Sequence, residues 1–118
     1  MPTEHNMQNI NNWLDIIKQF KGFKSDYELA KYWGIDRSII SQYRRGRLRL
    51  PIAKCLEIAE IGNYHPLEVI LSLEWYRAKE SEQEIIKEIY WMATIVNANE
   101  RMNAYCFSKK YYNRRKQR

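Results

Sequence analysis

The run S-D-Y-E-L-A-K-Y-W-G-I-D-R-S-I-I-S-Q-Y-R-R-G, residues 25–46, decides how this chain is read. Ser25 and Glu28 stand in the S-x-x-E spacing of a capping box, in which two side chains satisfy backbone donors at a helix start. Leu29, Ala30 and Trp33 then fall on the inner face of a short helix. Gly34 lies where that helix has to stop and turn sharply, a position that favours a residue tolerant of positive φ. Asp36 is a good N-cap for a second helix over residues 37–45. Within it Ile40 and Tyr43 face inward, which leaves Arg37, Ser38, Ser41 and Gln42 outward. That outward set is rich in donors and has no acid. Short hydrogen-bonding side chains and an arginine near a helix N-terminus are what base edges in the major groove demand.

The run resembles the helix-turn-helix of the phage repressor and Cro-like family of DNA-binding regulators. Leu29-Ala30, Gly34-Ile35, Arg37-Ser38, Ile40-Ser41 and Arg45-Gly46 carry the resemblance in one register, and it extends from Ser25 to about Val69. It implies an all-α fold: a five-helix repressor-like domain, with the second motif helix in the major groove. By that resemblance Arg37, Ser38, Ser41 and Gln42 occupy base-contacting positions, and Ser25, Arg44, Arg45, Arg47 and Arg49 contact phosphate. Ile39 is apolar at a place often polar, and reads as a contact to a thymine methyl or a sugar. Two residues depart from the family's pattern. Asp26 stands where an uncharged residue is usual near the DNA backbone, which counts against the Ser25 contact. Arg44 replaces a common acid and adds positive charge.

The charge distribution points the same way. The 118 residues carry a formal charge of +6, and residues 37–49 hold five arginines with no acid. Residues 101–118 hold seven basic residues and again no acid, so eight basic residues face all 14 acids over the rest of the chain. A solvated charge run explains a mixed surface better than this segregation, which suits an anionic partner. Cys55 and Cys106 are far apart and form no C-x-x-C motif. Together with the lack of an N-terminal apolar signal region, they lead us to expect free thiols in a reducing cytoplasm, with Cys55 a small buried residue. No apolar run approaches the length of a membrane span.

Along the chain, a loose arm (residues 1–6) precedes an amphipathic helix over 7–20, with Ile10, Trp13, Leu14, Ile17 and Phe20 inward and Gly22 at its end. After the motif comes a basic loop at residues 47–50. A helix then follows over 51–61 with Ile52, Leu56 and Ala59 inward, closed by Gly62-Asn63. A further helix opens at Pro66, preceded by His65 as a local cap or surface residue. It is apolar nearly all round, either through Leu67, Ile70, Leu71 and Trp75 or through Val69 and Leu73. Ser81 and Glu84 repeat the capping-box spacing, predicting a new helix to about residue 97, although one long bent helix from Pro66 also fits. The helix-turn-helix domain is therefore placed at 7–79 and a C-terminal extension at 80–118. Ile85, Ile86, Ile89, Tyr90, Ala93 and Val96 form a stripe with two readings: a homodimer interface, or the closing face of the monomer's own core. N-A-N-E at 97–100 reads as a polar break. The basic aromatic tail after it is a disordered segment, a DNA-contacting arm or a last helix; an ordered start near residues 102–107 and a mobile end fit its aromatics best.

No Gly-rich phosphate loop, nucleophile elbow, metal-ligand cluster or facing carboxylate pair is present, so neither an enzyme nor a metal or cofactor is expected. No small-molecule ligand and no membrane partner is evident. Two function classes remain. One is a sequence-specific double-stranded-DNA-binding transcriptional regulator, a repressor of phage or mobile-element type acting as a homodimer. The other is an antitoxin or antirepressor-type protein-interaction module in which the motif is secondary.

Overall fold

In the computed structural model, residues 7–116 are described, with side chains described for residues 7–99. They are all-helical, with no strand among them. The helices are α1 (Ile10–Lys21), α2 (Asp26–Trp33), α3 (Arg37–Arg44), α4 (Ile52–Gly62), α5 (Pro66–Trp75) and α6 (Glu80–Lys116). Five short helices thus precede one of 37 residues.

Local chemistry sets the boundaries. Asn9 caps α1 by accepting a hydrogen bond from the Asn12 N–H, so the helix starts at Ile10 rather than at residue 7, and Gly22 ends it with φ 75°. Ser25 caps α2 through the Glu28 N–H. The reciprocal half of the box is displaced by one residue, because the Glu28 carboxylate accepts from the Lys24 N–H instead. Gly34, at φ 69°, lets the chain leave α2 and enter α3 after two further residues. At the start of α5 the ring nitrogen Nδ1 of His65 accepts from the Leu67 N–H, which makes it a local cap.

The core gathers α1, the α2–α3 pair, α4 and α5. Trp13, Leu14 and Ile17 meet Leu29, Ile40, Ile58 and Val69, all fully buried. Trp13 is the hub. Its edge meets Tyr64 with ring centroids 4.9 Å apart, and its indole Nε1–H donates to Ser72 Oγ at 2.7 Å. The Ser72 hydroxyl in turn donates to the Val69 carbonyl at 2.9 Å. Trp33 links α2 to α4 by donating to Glu57 while Lys54 lies over its ring.

Several expectations change here. Phe20 is exposed, so the buried face of α1 ends one turn earlier. The inward face of α4 is Cys55, Ile58 and Ala59, whereas Ile52 and Leu56 point outward. Cys55 is buried as expected, and burial pushes its thiol up to about 11. Ile39 is half-buried and packs in part against the core. Ser81 caps nothing: the Lys79 carbonyl already accepts from the Glu82 and Gln83 N–H groups, so α6 begins ahead of it. Nor does the helix break at residue 97. Asn97 is buried, and its amide donates to the Asn63 carbonyl and to the Glu68 carboxylate, both at 3.3 Å. What reads as a polar interruption is a polar anchor for α6 on the α4–α5 corner.

That anchor divides the α6 stripe. Tyr90 and Ala93 are buried against the chain's own body, which removes them from the surface that a partner could reach, and Ile86 is half-buried. Burial beside Glu68 pushes the Tyr90 phenol up to about 12. Ile85, Ile89 and Val96 remain exposed, and Met92 and Ile95 join them. The physical reason is phase. Residues 86, 90, 93 and 97 share one helix face, while 85, 89, 92 and 96 form the neighbouring one. The backbone of α6 is helical to Lys116, so the tail is a continuation of α6 rather than a separate element. Its side-chain contacts, including any with DNA, lie outside the described residues, as does the arm at 1–6.

Candidate nucleic-acid interface

The outer surface of α3 is where the sequence places the readers, and burial sorts them. Arg37, Ser38 and Gln42 are exposed, Ser41 is half-buried, and Ile40 and Tyr43 lie beneath in the core. Burial raises the Tyr43 phenol above its ordinary value, in keeping with a side chain that supports the helix from below. Asp36 holds the N-cap position of α3 with extended backbone but makes no side-chain cap bond. The loop after α3 hangs from the helix end: Gly46 N–H donates to the Tyr43 carbonyl, and the Arg47 and Leu48 N–H groups both donate to that of Gln42. Arg45, Arg47 and Arg49 are exposed along it, and Ser25 lies exposed at the start of α2.

The five phosphate candidates separate by what they already hold. Arg45 and Arg47 make no side-chain hydrogen bond or ion pair with any described residue, and neither does Arg37 among the readers. Arg49 pairs with Glu74 of α5 at the surface through Nη1 alone. Ser25 accepts the Glu28 N–H in the α2 cap, which leaves its O–H as a donor. Arg44 is turned inward. Its guanidinium donates to both oxygens of Asp26 at 2.8 and 2.9 Å, to Asp15 at 2.8 Å and to Asn11 at 3.0 Å. All three of its nitrogens have intramolecular acceptors, with one Nη1 N–H left over, so Arg44 is a structural tie between α3, α2 and α1.

Asp26 is corrected by the same geometry. Its carboxylate also receives Lys18 Nζ at 3.1 Å. The Arg44 hydrogen bonds, with Lys18 behind them, hold its carboxyl below the ordinary value against the opposing effect of burial. An acid that reads as repelling a phosphate is neutralised by two cations of its own chain. The two departures from the family's pattern, 18 residues apart in sequence, are partners. Nothing in either local stretch signals this; only the complementary signs of the two departures could have.

Sequence reasoning also passes over Arg77. From the end of α5 it donates to the Gly46 carbonyl at 3.0 Å, fixing the basic loop from behind. Among the described residues no cluster of three His, Cys, Asp or Glu side chains could hold a metal ion, and no helix is long and apolar enough to cross a membrane. Comparison with family models, curated proteins and solved structures finds no match to this chain.

Proposed function

We infer that the protein is a sequence-specific double-stranded-DNA-binding regulator of the repressor type, with α2 and α3 as its helix-turn-helix. The observation that carries this reading is the set of uncommitted cations around one exposed helix face. Arg37, Arg45 and Arg47 have no partner among the described residues, while Arg44 beside them is held by Asp26, Asp15 and Asn11. Arg37 and Gln42 are the base readers, suited to guanine O6/N7 and adenine N6/N7. Ser38, and Ser41 from its half-buried place, add weaker contacts. Arg45 and Arg47 clamp phosphate, and Arg49 joins them on releasing Glu74. Backbone contacts of this kind set register, not sequence preference.

Footprinting on DNA flanking the protein's own gene tests the reading. Protection is expected to survive excess competitor DNA. Gln42→Ala is expected to cost about 1–3 kcal/mol and to relax one base position. Arg47→Ala should weaken all sequences alike and flatten the log–log salt dependence by about 0.9. Binding blind to sequence in the native protein would reject it.

Homodimerisation belongs to the same proposal, through the exposed seam Ile85, Ile89, Met92 and Val96, whose alternating spacing of four and three suits a helix–helix pair. A two-fold pair would address half-sites about 34 Å apart. Ile89→Glu, at an exposed position, is expected to leave the fold intact and to convert the dimer to a monomer in light scattering. A dimer of unchanged mass would remove the seam from the assembly. The same exposed face favours the second reading, an antitoxin or antirepressor-type module. In that case Ile89→Glu would abolish capture of a different protein while leaving the self-association state and DNA binding untouched.

A further inference from the structure

A cavity of about 640 Å³ opens between the basic loop, the start of α4 and the end of α5. Its volume falls in the range of about 300–1,000 Å³ typical of small-molecule sites. The walls are mainly apolar, from Leu48, Leu50, Ile52, Cys55, Ile70 and Leu73, and its charged rim is unbalanced: Arg45, Arg49 and Arg77 stand against Glu74 alone. Arg44 also borders it, but its guanidinium is consumed by Asp26 and Asp15. Two of the rim groups already form a latch. Arg49 reaches across to Glu74, and Arg77 holds the Gly46 carbonyl.

We propose that this cavity binds a small amphipathic organic anion, with its apolar body on the Leu50, Ile70 and Leu73 wall and its carboxylate or sulfonate on Arg45 and Arg49. The charge excess selects the class. A neutral apolar molecule leaves the guanidinium pair without a new partner, and a cation meets like charge. The anion takes Arg49 from Glu74 and engages Arg45, which has no partner among the described residues. Both arginines sit on the loop assigned above to phosphate, so occupancy and DNA binding oppose each other. The regulatory half of the inference rests on the DNA-binding reading; the binding half does not.

The test uses the full-length protein and decanoate below its micelle concentration, by titration calorimetry without DNA. Decanol and decyltrimethylammonium serve as matched neutral and cationic probes. Saturable binding of one decanoate per chain is expected, at least tenfold tighter than either control. Leu73→Trp, which fills the cavity, should abolish it, and Arg49→Gln, at an exposed position, should weaken it about tenfold while the circular dichroism spectrum is retained. Equal binding of all three probes, no saturation, or undiminished binding to both variants overturns the proposal, the last by moving the ligand to another apolar face such as that of α6. Loss of self-association in Leu73→Trp without decanoate binding to the native protein overturns it as well, by assigning the groove to a second copy. Decanoate should then lower affinity for footprinted DNA at least tenfold. If decanoate binds and that affinity is unchanged, the regulatory half fails alone; if no DNA is bound at all, the DNA-binding reading fails and the cavity stands.

Discussion

Replacing Trp13 with Ala is expected to destabilise the protein by about 3–5 kcal/mol, the cost of emptying a fully buried large aromatic site that cannot collapse around the gap. The ring joins α1 to Tyr64, beyond the end of α4, and to Ser72 of α5, so its loss opens the centre of the core rather than one edge. Ser72→Ala is the sharper probe. It removes a hydroxyl and leaves the Trp13 indole N–H buried with no acceptor, which should cost about 1–3 kcal/mol although the change in volume is small. Trp13→Phe combined with Ser72→Ala removes donor and acceptor together. It should cost less than the two single changes added, because neither polar group is then stranded. Urea unfolding followed by circular dichroism reads the native protein, the single variants Trp13→Ala, Trp13→Phe and Ser72→Ala, and the double variant. A Ser72→Ala protein as stable as the native one, or strict additivity in the double variant, would remove the hydrogen bond from any part in stability.

The same residues show what could be read in advance. Trp13, Leu14 and Ile17 are legible as an inner face because their spacing repeats the helical turn, and Gly22 and Gly34 mark the ends that they do mark. Ser72 is not legible. A serine inside an apolar helix gives no sign that a tryptophan 59 residues earlier needs its oxygen. The face of α4 is read only in part for a related reason: Ala59 and Cys55 are buried as their positions suggest, but Ile58 rather than Ile52 or Leu56 completes the face under α1. On α6 apolar content covers two adjacent faces, and composition cannot say which one the body takes. Asn97 decides it through contacts to Asn63 and Glu68, 34 and 29 residues away. Local signals thus fix the ends at Gly22 and Gly34 and the exposure of Arg37, Ser38 and Gln42, but not the starts of α1 and α6. Long-range polar pairing fixes which arginines remain available.

Arg44→Ala is expected to lower stability by about 1–3 kcal/mol and, on the DNA-binding reading, to weaken DNA binding by leaving Asp26 unbalanced rather than by removing a phosphate contact. Hydrogen bonds to charged groups are worth about 1.5–3 kcal/mol each where shielded, and less where water reaches them. Here Arg44 and Asp26 are only 21% and 28% exposed, whereas Asp15 is 62% exposed and contributes little. Without Arg44, Lys18 alone faces two carboxylates, and the α2 end of the proposed interface gains net negative charge beside Ser25. A second substitution, Asp26→Asn, separates the roles. If Arg44 acts by neutralising Asp26, the double variant recovers most of the lost DNA affinity; if Arg44 clamps phosphate itself, affinity stays low. The pH dependence gives an independent check. The folded-state carboxyl of Asp26 lies below its ordinary 3.8, so its contribution is complete above about pH 4 and is lost as pH falls through the depressed value. The Arg44 hydrogen bonds are the largest cause of that depression, so the carboxyl rises back toward 3.8 in Arg44→Ala. The stability gap between native protein and Arg44→Ala is therefore expected to be widest near neutral pH and to close as the pH drops below about 4. A gap that stays constant from pH 7 to pH 3 would show that Arg44 stabilises through its packed stem, leaving Asp26 as an unbalanced acid in the interface.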